Sequence, residues 1–383
     1  MEKQIYWIWF QLMFGIGTRR AELMDRYFES PAGLWAELEQ GGAAAGMLTP
    51  REQECRGAAL EEAKRLYRRT LAKGCQVLTP EDDGYPELLR HIYARPAALY
   101  VKGDLSCLKA LSIAMVGTRT HSEYGERAAR SLAGALAANG VTVVSGLARG
   151  IDTICHEAAL AAGGSTVGVL GCGLDVDYPG GSGKLKTAMT KNGAVVSEYP
   201  LGTHPRPANF PVRNRVISGM ARGVVVVEAD LRSGSLITAG HALEQGRDVF
   251  AVPGDAFSHT KMQGGHQLIK EGAKLVECAE DILEEYGGAV RKNSPEPLHN
   301  PREHGTTIEE EPEHNPPNPP PDLTEAGAAL LALLGGTPAS VEELAERSGL
   351  EIPRLHTALT ELELFGLVRS LPGRTFARCR VNA

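Results

Sequence analysis

The chain has 383 residues, 43% hydrophobic and 23% charged, the profile of an ordinary globular protein with two or three domains. A formal net charge of −7 argues against a wholly basic nucleic-acid coat, though not against a local basic groove, because binding footprints are set by patches. Seven cysteines, scattered and with no C-x-x-C pair, argue against a zinc site or a disulfide framework, and no apolar run reaches membrane-spanning length.

In chain order, the apolar start MEKQIYWIWFQLM reads as a core helix rather than a signal peptide, so the cytoplasm is the expected compartment. Residues 1–75 read as a small helical domain. Ile5–Phe14 carries an apolar helical face, Gly15-Ile16-Gly17 breaks it, and Thr18 can cap a helix over Arg19–Phe28. Helix, G-x-G, helix resembles the helix-hairpin-helix and sterile-alpha-motif type of domain, some of which hold DNA phosphate on the glycine turn. A single G-x-G is also what a tight inter-helix turn needs, and that plainer reading is preferred here. Arg51–Lys73 is a further helix. The prolines of residues 76–111 preclude a regular helix over most of that stretch, which reads as an extended arm along a sheet edge.

The chain is organised around residues 112–156. A β-branched run, Ser112–Val116, ends in Gly117-Thr118-Arg119 and is followed by a helical stretch, Tyr124–Asn139. A second run, Val141–Ser145, ends in Gly146-Leu147-Ala148-Arg149-Gly150, with another helix starting at Asp152. Strand, turn, helix, repeated, is the grammar of a parallel α/β sheet, whose ligands sit where strand carboxyl ends meet helix amino ends. Both turns put glycines and an arginine there, which suits phosphate. Further strands read at Ser165–Leu170, Gly193–Ser197, Gly223–Glu228, Val249–Val252 and Lys274–Val276, with helices between them. A loop over Glu198–Pro211 leads to a basic helix start at Arg213. Near-continuous valine runs mean strands buried on both faces.

Residues 287–322 are proline-rich, acidic and polar, a linker that cannot bury enough apolar surface to order itself. Residues 323–383 read as helix, Ser340-capped helix to a turn at Gly349, helix over Pro353–Leu364, then a hairpin. That order resembles a winged helix, with arginines 369, 374, 378 and 380 on the wing.

Several motifs carry chemistry. Gly181-Ser182-Gly183-Lys184 is no P-loop, because Tyr178 and Leu185 stand where that pattern needs Gly and Ser or Thr. Neither glycine turn makes the G-x-G-x-x-G dinucleotide fingerprint. Asp152 and His156, four apart, read as a helix-capping aspartate with a histidine packed above it, since no third metal ligand is suitably spaced. Phe210-Pro211-Val212-Arg213-Asn214-Arg215 can stack a base and hold flanking phosphates. Arg232-Ser233-Gly234-Ser235-Leu236-Ile237-Thr238 can form an anion nest or simply cap a helix, since both use the same groups.

Together these segments resemble the DNA-processing protein A (DprA, or Smf) family. The resemblance rests on Asp83-Gly84-Tyr85-Pro86, Met115–Arg119, Ser145–Asp152 with His156, Gly171–Asp175 with Tyr178-Pro179, and Ser197–Pro200. It continues through Phe210–Arg215, Glu228, Ser233–Thr238, Gly246-Arg247 and Val252-Pro253-Gly254, covering roughly residues 80–285 in order. It implies an α/β fold with an extended Rossmann-like, mostly parallel sheet core over 76–286, between the helical and winged-helix-like domains. It also implies a cytoplasmic homodimer that binds single-stranded DNA without sequence preference and loads the recombinase RecA during natural transformation and competence. No catalysis, cofactor, metal or membrane is implied. Carried over, the DNA-binding residues are Gly117, Thr118, Arg119, Gly146, Arg149 and Gly150, then Phe210, Arg213, Asn214 and Arg215, then Ser233, Gly234, Ser235 and Thr238. The chain departs from the family at Thr118 (usually Ser), at His266 (where Asn is expected) and at Ser218-Gly219-Met220 (usually Ala-Gly-Leu).

The competing expectation is an enzyme on the same scaffold, similar to the cytokinin-activating phosphoribohydrolases, with Glu198 or Glu228 as its carboxylate. Pro179-Gly180-Gly181-Ser182-Gly183 begins like their P-G-G-x-G-T-x-x-E motif, but Lys184-Leu185-Lys186 lacks its Thr and Glu. The winged helix could read duplex DNA or dock a protein, and the sequence does not choose between them.

Overall fold

A computed structural model describes residues 2–254, 262–287, 323–334, 339–350, 352–365, 367–371 and 375–378. The linker expected over 287–322 therefore lies, from residue 288 on, outside the described residues. The chain separates into two compact units, Met1–His299 and Asn300–Ala383.

The first unit is built on a nine-stranded sheet. Its strands are β1 (Gln76–Leu78), β2 (Leu99–Gly103), β3 (Ser112–Gly117), β4 (Thr142–Ser145), β5 (Thr166–Leu170), β6 (Gly193–Ser197), β7 (Gly223–Glu228), β8 (Asp248–Ala251) and β9 (Lys274–Leu275). They lie in the order β1-β2-β6-β5-β4-β3-β7-β8-β9. Every pair from β6 to β9 is parallel, and β2 joins β6 antiparallel. This is the expected Rossmann-like, mostly parallel core. The extended arm at 76–111 sits on the sheet edge as anticipated, as two paired strands with short 3-10 turns.

Four helices precede the sheet: α1 (Lys3–Phe14), α2 (Arg19–Tyr27), α3 (Pro31–Glu39) and α4 (Pro50–Ala72). The next six connect strands: α5 (Glu123–Ala138), α6 (Ile151–Ala161), α7 (Gly183–Met189), α8 (Asn209–Gly219), α9 (Gly234–Glu244) and α10 (Gln263–Lys270), and the short α11 (Glu280–Leu283) closes the unit. The central strands are buried on both faces, as their valine content requires. Val224 and Val226 pack with Ile217 and Ala242 on one side, whereas Val225 and Val227 pack with residues such as Leu132 and Ile154 on the other. Each fully buried valine contributes on the order of 1.5–3 kcal/mol. A third core joins Trp7, Trp9, Phe10 and Phe14 of α1 to Leu34, Leu60 and Leu66, and also to Val77, Ala98 and Tyr100 of the arm. The helical layer thus packs continuously onto the sheet edge.

Helix α8 begins at Asn209, four residues before the expected start at Arg213. Pro211 falls in its first turn, where the missing proline N–H has no intrahelical partner to lose. This places Phe210, Arg213, Asn214 and Arg215 on one rigid helix.

The second unit contains α12 (Glu325–Leu333), α13 (Val341–Ser348), α14 (Ile352–Leu364) and a three-stranded antiparallel sheet of β10 (Ala339–Ser340), β11 (Val368–Leu371) and β12 (Thr375–Arg378). Ser340 and Glu343 form a capping box at the start of α13, and Gly349 ends it at φ +66°. Leu330, Leu344, Leu355, Leu359, Leu362, Val368 and Phe376 make its core. Arg374 and Arg380, and the side chains of Arg369 and Arg378, lie outside the described residues. Among the described residues no helix is long and apolar enough to cross a membrane.

Candidate nucleic-acid interface

A cleft of about 600 Å³ opens at the carboxyl ends of the parallel strands. Val116 to Arg119 line it from the end of β3, Phe210, Arg213, Asn214 and Ile217 from α8, and Asp230, Arg232 to Ser235 and Thr238 from the β7–α9 turn and the start of α9, with Tyr178 and Asp152 completing the walls.

The two glycine turns are packed against each other. Ile151 donates its N–H to the Thr118 carbonyl at 3.2 Å. Gly150 has φ +84°, and a Cβ there would lie 2.4 Å from the Thr118 carbonyl oxygen and 2.7 Å from that of Arg119. A Cβ at Gly146 would lie 2.8 Å from both the Arg213 Nη2 and the Asp152 Oδ2. These glycines therefore admit protein groups, not ligand. Gly117 lines the cleft, and a Cβ there would strike Ile151.

Arg213 and Asp152 form the floor, with only 5% and 6% exposure. Arg213 Nη1 donates to the Gly146 carbonyl at 2.6 Å and to the Val169 carbonyl. Burial pushes the Asp152 carboxyl above its ordinary range, opposed by the Arg213 guanidinium and by hydrogen bonds that include the Ala148 N–H. The Arg213 charge is thus largely met from within. Arg119 and Arg232, both exposed, supply the positive charge of the mouth.

Phe210 is the centre of the aromatic wall. The Arg119 guanidinium carbon lies 5.9 Å from its ring centroid and that of Arg213 5.7 Å. The Tyr178 ring lies 5.2 Å away, tilted by 39°. At the opposite rim, Ser233 caps α9 and its Oγ lies 2.7 Å from that of Ser235, while Asn214 Nδ2 donates to the Gly234 carbonyl at 3.2 Å. Capping and an open helix amino end thus coexist at this rim.

Of the residues carried over from the sequence, Gly117, Thr118, Arg119, Phe210, Arg213, Asn214, Ser233, Gly234, Ser235 and Thr238 converge on the cleft. Gly146, Arg149, Gly150 and Arg215 do not line it. Arg149 is exposed beside it. Arg215 is buried on the opposite face of α8, with Nη2 2.5 Å from the Glu198 carboxylate, so its charge is not available to a ligand in the cleft. Tyr178, Asp230 and Arg232 line the cleft but were not among the residues carried over. Arg232 adjoins the Ser233–Thr238 segment, and Tyr178 stands in the Tyr178-Pro179 motif of the resemblance, so both had a local signal.

The carboxylates of the enzymatic alternative are both engaged elsewhere. Glu228 is 1% exposed and accepts from the Ser122 N–H and hydroxyl, and Glu198 is paired with Arg215. Neither lines the cleft. His156 is not paired with Asp152: its Nδ1 lies 2.6 Å from Thr166 Oγ1. His266 reaches the backbone of Gly254, 3.2 Å from its nitrogen and 3.1 Å from its oxygen, so histidine serves a backbone contact at that position. The Gly15–Gly17 turn packs on α8: a Cβ at Gly17 would lie 2.7 Å from Val212. That is the inter-helix turn reading.

The chain is similar to known proteins. The family model described as DNA recombination-mediator protein A matches residues 76–287, and that of the DprA winged helix domain matches residues 314–374. Protein Smf of Escherichia coli (strain K12) is 44% identical over 301 residues, 77% of this chain and 76% of that protein. The X-ray structure of DNA processing protein A from Streptococcus pneumoniae superposes with a TM-score of 0.55 at 42% identity, over 60% of this chain and 82% of that one. A DNA processing protein A from Helicobacter pylori, solved for its single-stranded DNA binding mode, superposes with a TM-score of 0.51 at 29% identity, over 57% of this chain and 97% of that one. With the family model spanning more than half of its length and a relative this close over three quarters of it, the chain belongs to the DNA recombination-mediator protein A (DprA/Smf) family.

Proposed function

We propose that the cleft binds single-stranded DNA without sequence preference. The observation that carries this reading is the placement of Phe210 beside two guanidinium groups in an open cleft at a helix amino end. An aromatic face stacks any base, and arginines with backbone N–H groups hold the flanking phosphates. The Helicobacter pylori relative, described by its single-stranded DNA binding mode, supports the same ligand. In this reading residues 76–286 carry the strand, residues 1–75 precede that domain, and 287–322 link it to residues 323–383. On the strength of the family we further propose that the protein acts in the cytoplasm as a homodimer, is not an enzyme, and passes the strand to the recombinase RecA during transformation.

The test is a fluorescence-anisotropy titration of a labelled dT oligonucleotide and a matched duplex at two salt concentrations. Strong, salt-sensitive preference for the single strand is expected, because each phosphate contact releases counterions. Equal affinity for the duplex, or none for either, would refute the assignment. Stimulation of RecA strand exchange on the same oligonucleotide tests the recombinase step separately.

A further inference from the structure

Helix α8 has two working faces. Phe210, Arg213, Asn214 and Ile217 face the cleft. Val212, Arg215 and Gly219 point the opposite way, as positions about half a helical turn out of phase must. That far face is held partly from within the sheet domain, where Leu89 and Ile92 lie against Gly219, and partly from outside it. A Cβ at Gly17, in the α1–α2 turn, would lie 2.7 Å from Val212 and 3.1 Å from the Arg215 Nε and Nη2, so the turn lies directly on both side chains. The Arg215 guanidinium meets the Glu198 carboxylate at 2.5 Å, with 6% and 4% of the two residues exposed. Among the described residues its Nε and Nη1 have no hydrogen-bond partner, and Glu198 is the carboxylate paired with it. Gln11 of α1 donates to the Glu198 carbonyl at 3.0 Å.

We propose that Glu198 and Arg215 are positioning residues for strand binding: their buried ion pair seats α8 against the α1–α2 turn, so the helical layer sets the aim of Phe210, Arg213 and Asn214 without touching DNA. The inference rests on the single-strand reading of the cleft. It assigns the G-x-G turn a buttressing task in place of phosphate binding. A second strut runs the same way: Arg69 of α4 is 3.0 Å from Asp175, whose other oxygen accepts from the Gly202 N–H at 2.6 Å, at the base of the loop that carries Tyr178.

The full-length chain is compared as wild type, Arg215→Met, Glu198→Gln and the double variant. A lone buried charge is strongly unfavourable, whereas a neutral pair is tolerated. Each single variant should lose about tenfold in affinity for a dT oligonucleotide, with the slope of log K against log[salt] unchanged and the double variant recovering most of the loss. Loss of a direct phosphate contact would instead flatten that slope by about one unit in Arg215→Met and leave the double variant no better, which overturns the proposal. Wild-type affinity in both single variants also overturns it. Hydrogen exchange supplies a readout independent of DNA. Glu198→Gln should speed exchange both in α8 and at residues 15–17, and unchanged exchange at either place refutes the coupling. Wild-type protein that fails to bind dT would count against the cleft assignment, while the exchange result would still decide whether the pair seats α8.

Discussion

Replacing Arg119 by alanine separates binding from folding. Arg119 is exposed, its ring contact is with Phe210 at 5.9 Å, and no ion pair or hydrogen bond ties its guanidinium to a described residue. Removing it orphans no buried partner, so folding stability should move by no more than the roughly 0.5–1 kcal/mol of an exposed cation–π contact. On the DNA side, one charge-assisted hydrogen bond to phosphate is worth about 1.5–3 kcal/mol, roughly a tenfold to hundredfold loss of affinity. The salt slope should fall by about one unit as one phosphate contact is lost. Arg213→Ala is the informative contrast. It removes the donors to the Gly146 and Val169 carbonyls and leaves the buried Asp152 carboxyl without its cation. Leaving those two buried carbonyls without their donor costs about 1–3 kcal/mol each, so its binding defect should arrive together with a lowered Tm. The assay is anisotropy with dT oligonucleotides over a salt series, beside thermal melts of the same preparations. Arg119→Ala with unaltered affinity and slope, or with a melt as depressed as that of Arg213→Ala, would refute the reasoning.

Two further predictions follow from the interior. Gly150→Ala forces a side chain into a positive-φ conformation against the Thr118 and Arg119 carbonyls, and should cost roughly 3 kcal/mol or more while displacing the Arg119 turn; a urea-unfolding loss below about 1 kcal/mol would contradict this. His156 is buried, and burial, aided by the Arg213 cation, holds its pKa down to about 3. Its Nδ1 must donate to Thr166 Oγ1, because that hydroxyl gives its own hydrogen to the Val143 carbonyl at 2.7 Å. The unfolded chain takes up this proton below about pH 6.5 and the folded chain does not, so stability falls as pH drops through that window, by about 2 kcal/mol at pH 5. Urea titrations at pH 7 and pH 5 should show this difference shrinking in His156→Asn, and an identical pH response in the variant would remove His156 as its source.

The sheet was readable because its signals are local. Valine runs such as Gly223–Glu228 read as strands covered on both faces, and the place of the turns that follow them at the carboxyl edge follows from parallel topology. The same local chemistry put Gly117–Arg119, Phe210 and Ser233–Thr238 at one cleft. The family resemblance drew on that ordered set of turns, and on nothing long-range. What the residues could not show was phase and partner. Arg213 and Arg215 are two apart in one motif, yet one floors the cleft and the other lies buried on the far side, because α8 starts at Asn209 and turns about 200° between them. Gly146 and Gly150 look like ligand-binding glycines until Arg213, Asp152 and the Thr118 backbone are seen occupying the space beside them. Gly15–Gly17 looks like a phosphate turn until Val212 and Arg215 are found against it. Composition and periodicity determined which segments are strands, helices and turns, since backbone preference and burial act within a few residues. Only packing between segments distant in sequence decided which arginine faces solvent, because that depends on which surface each helix must cover.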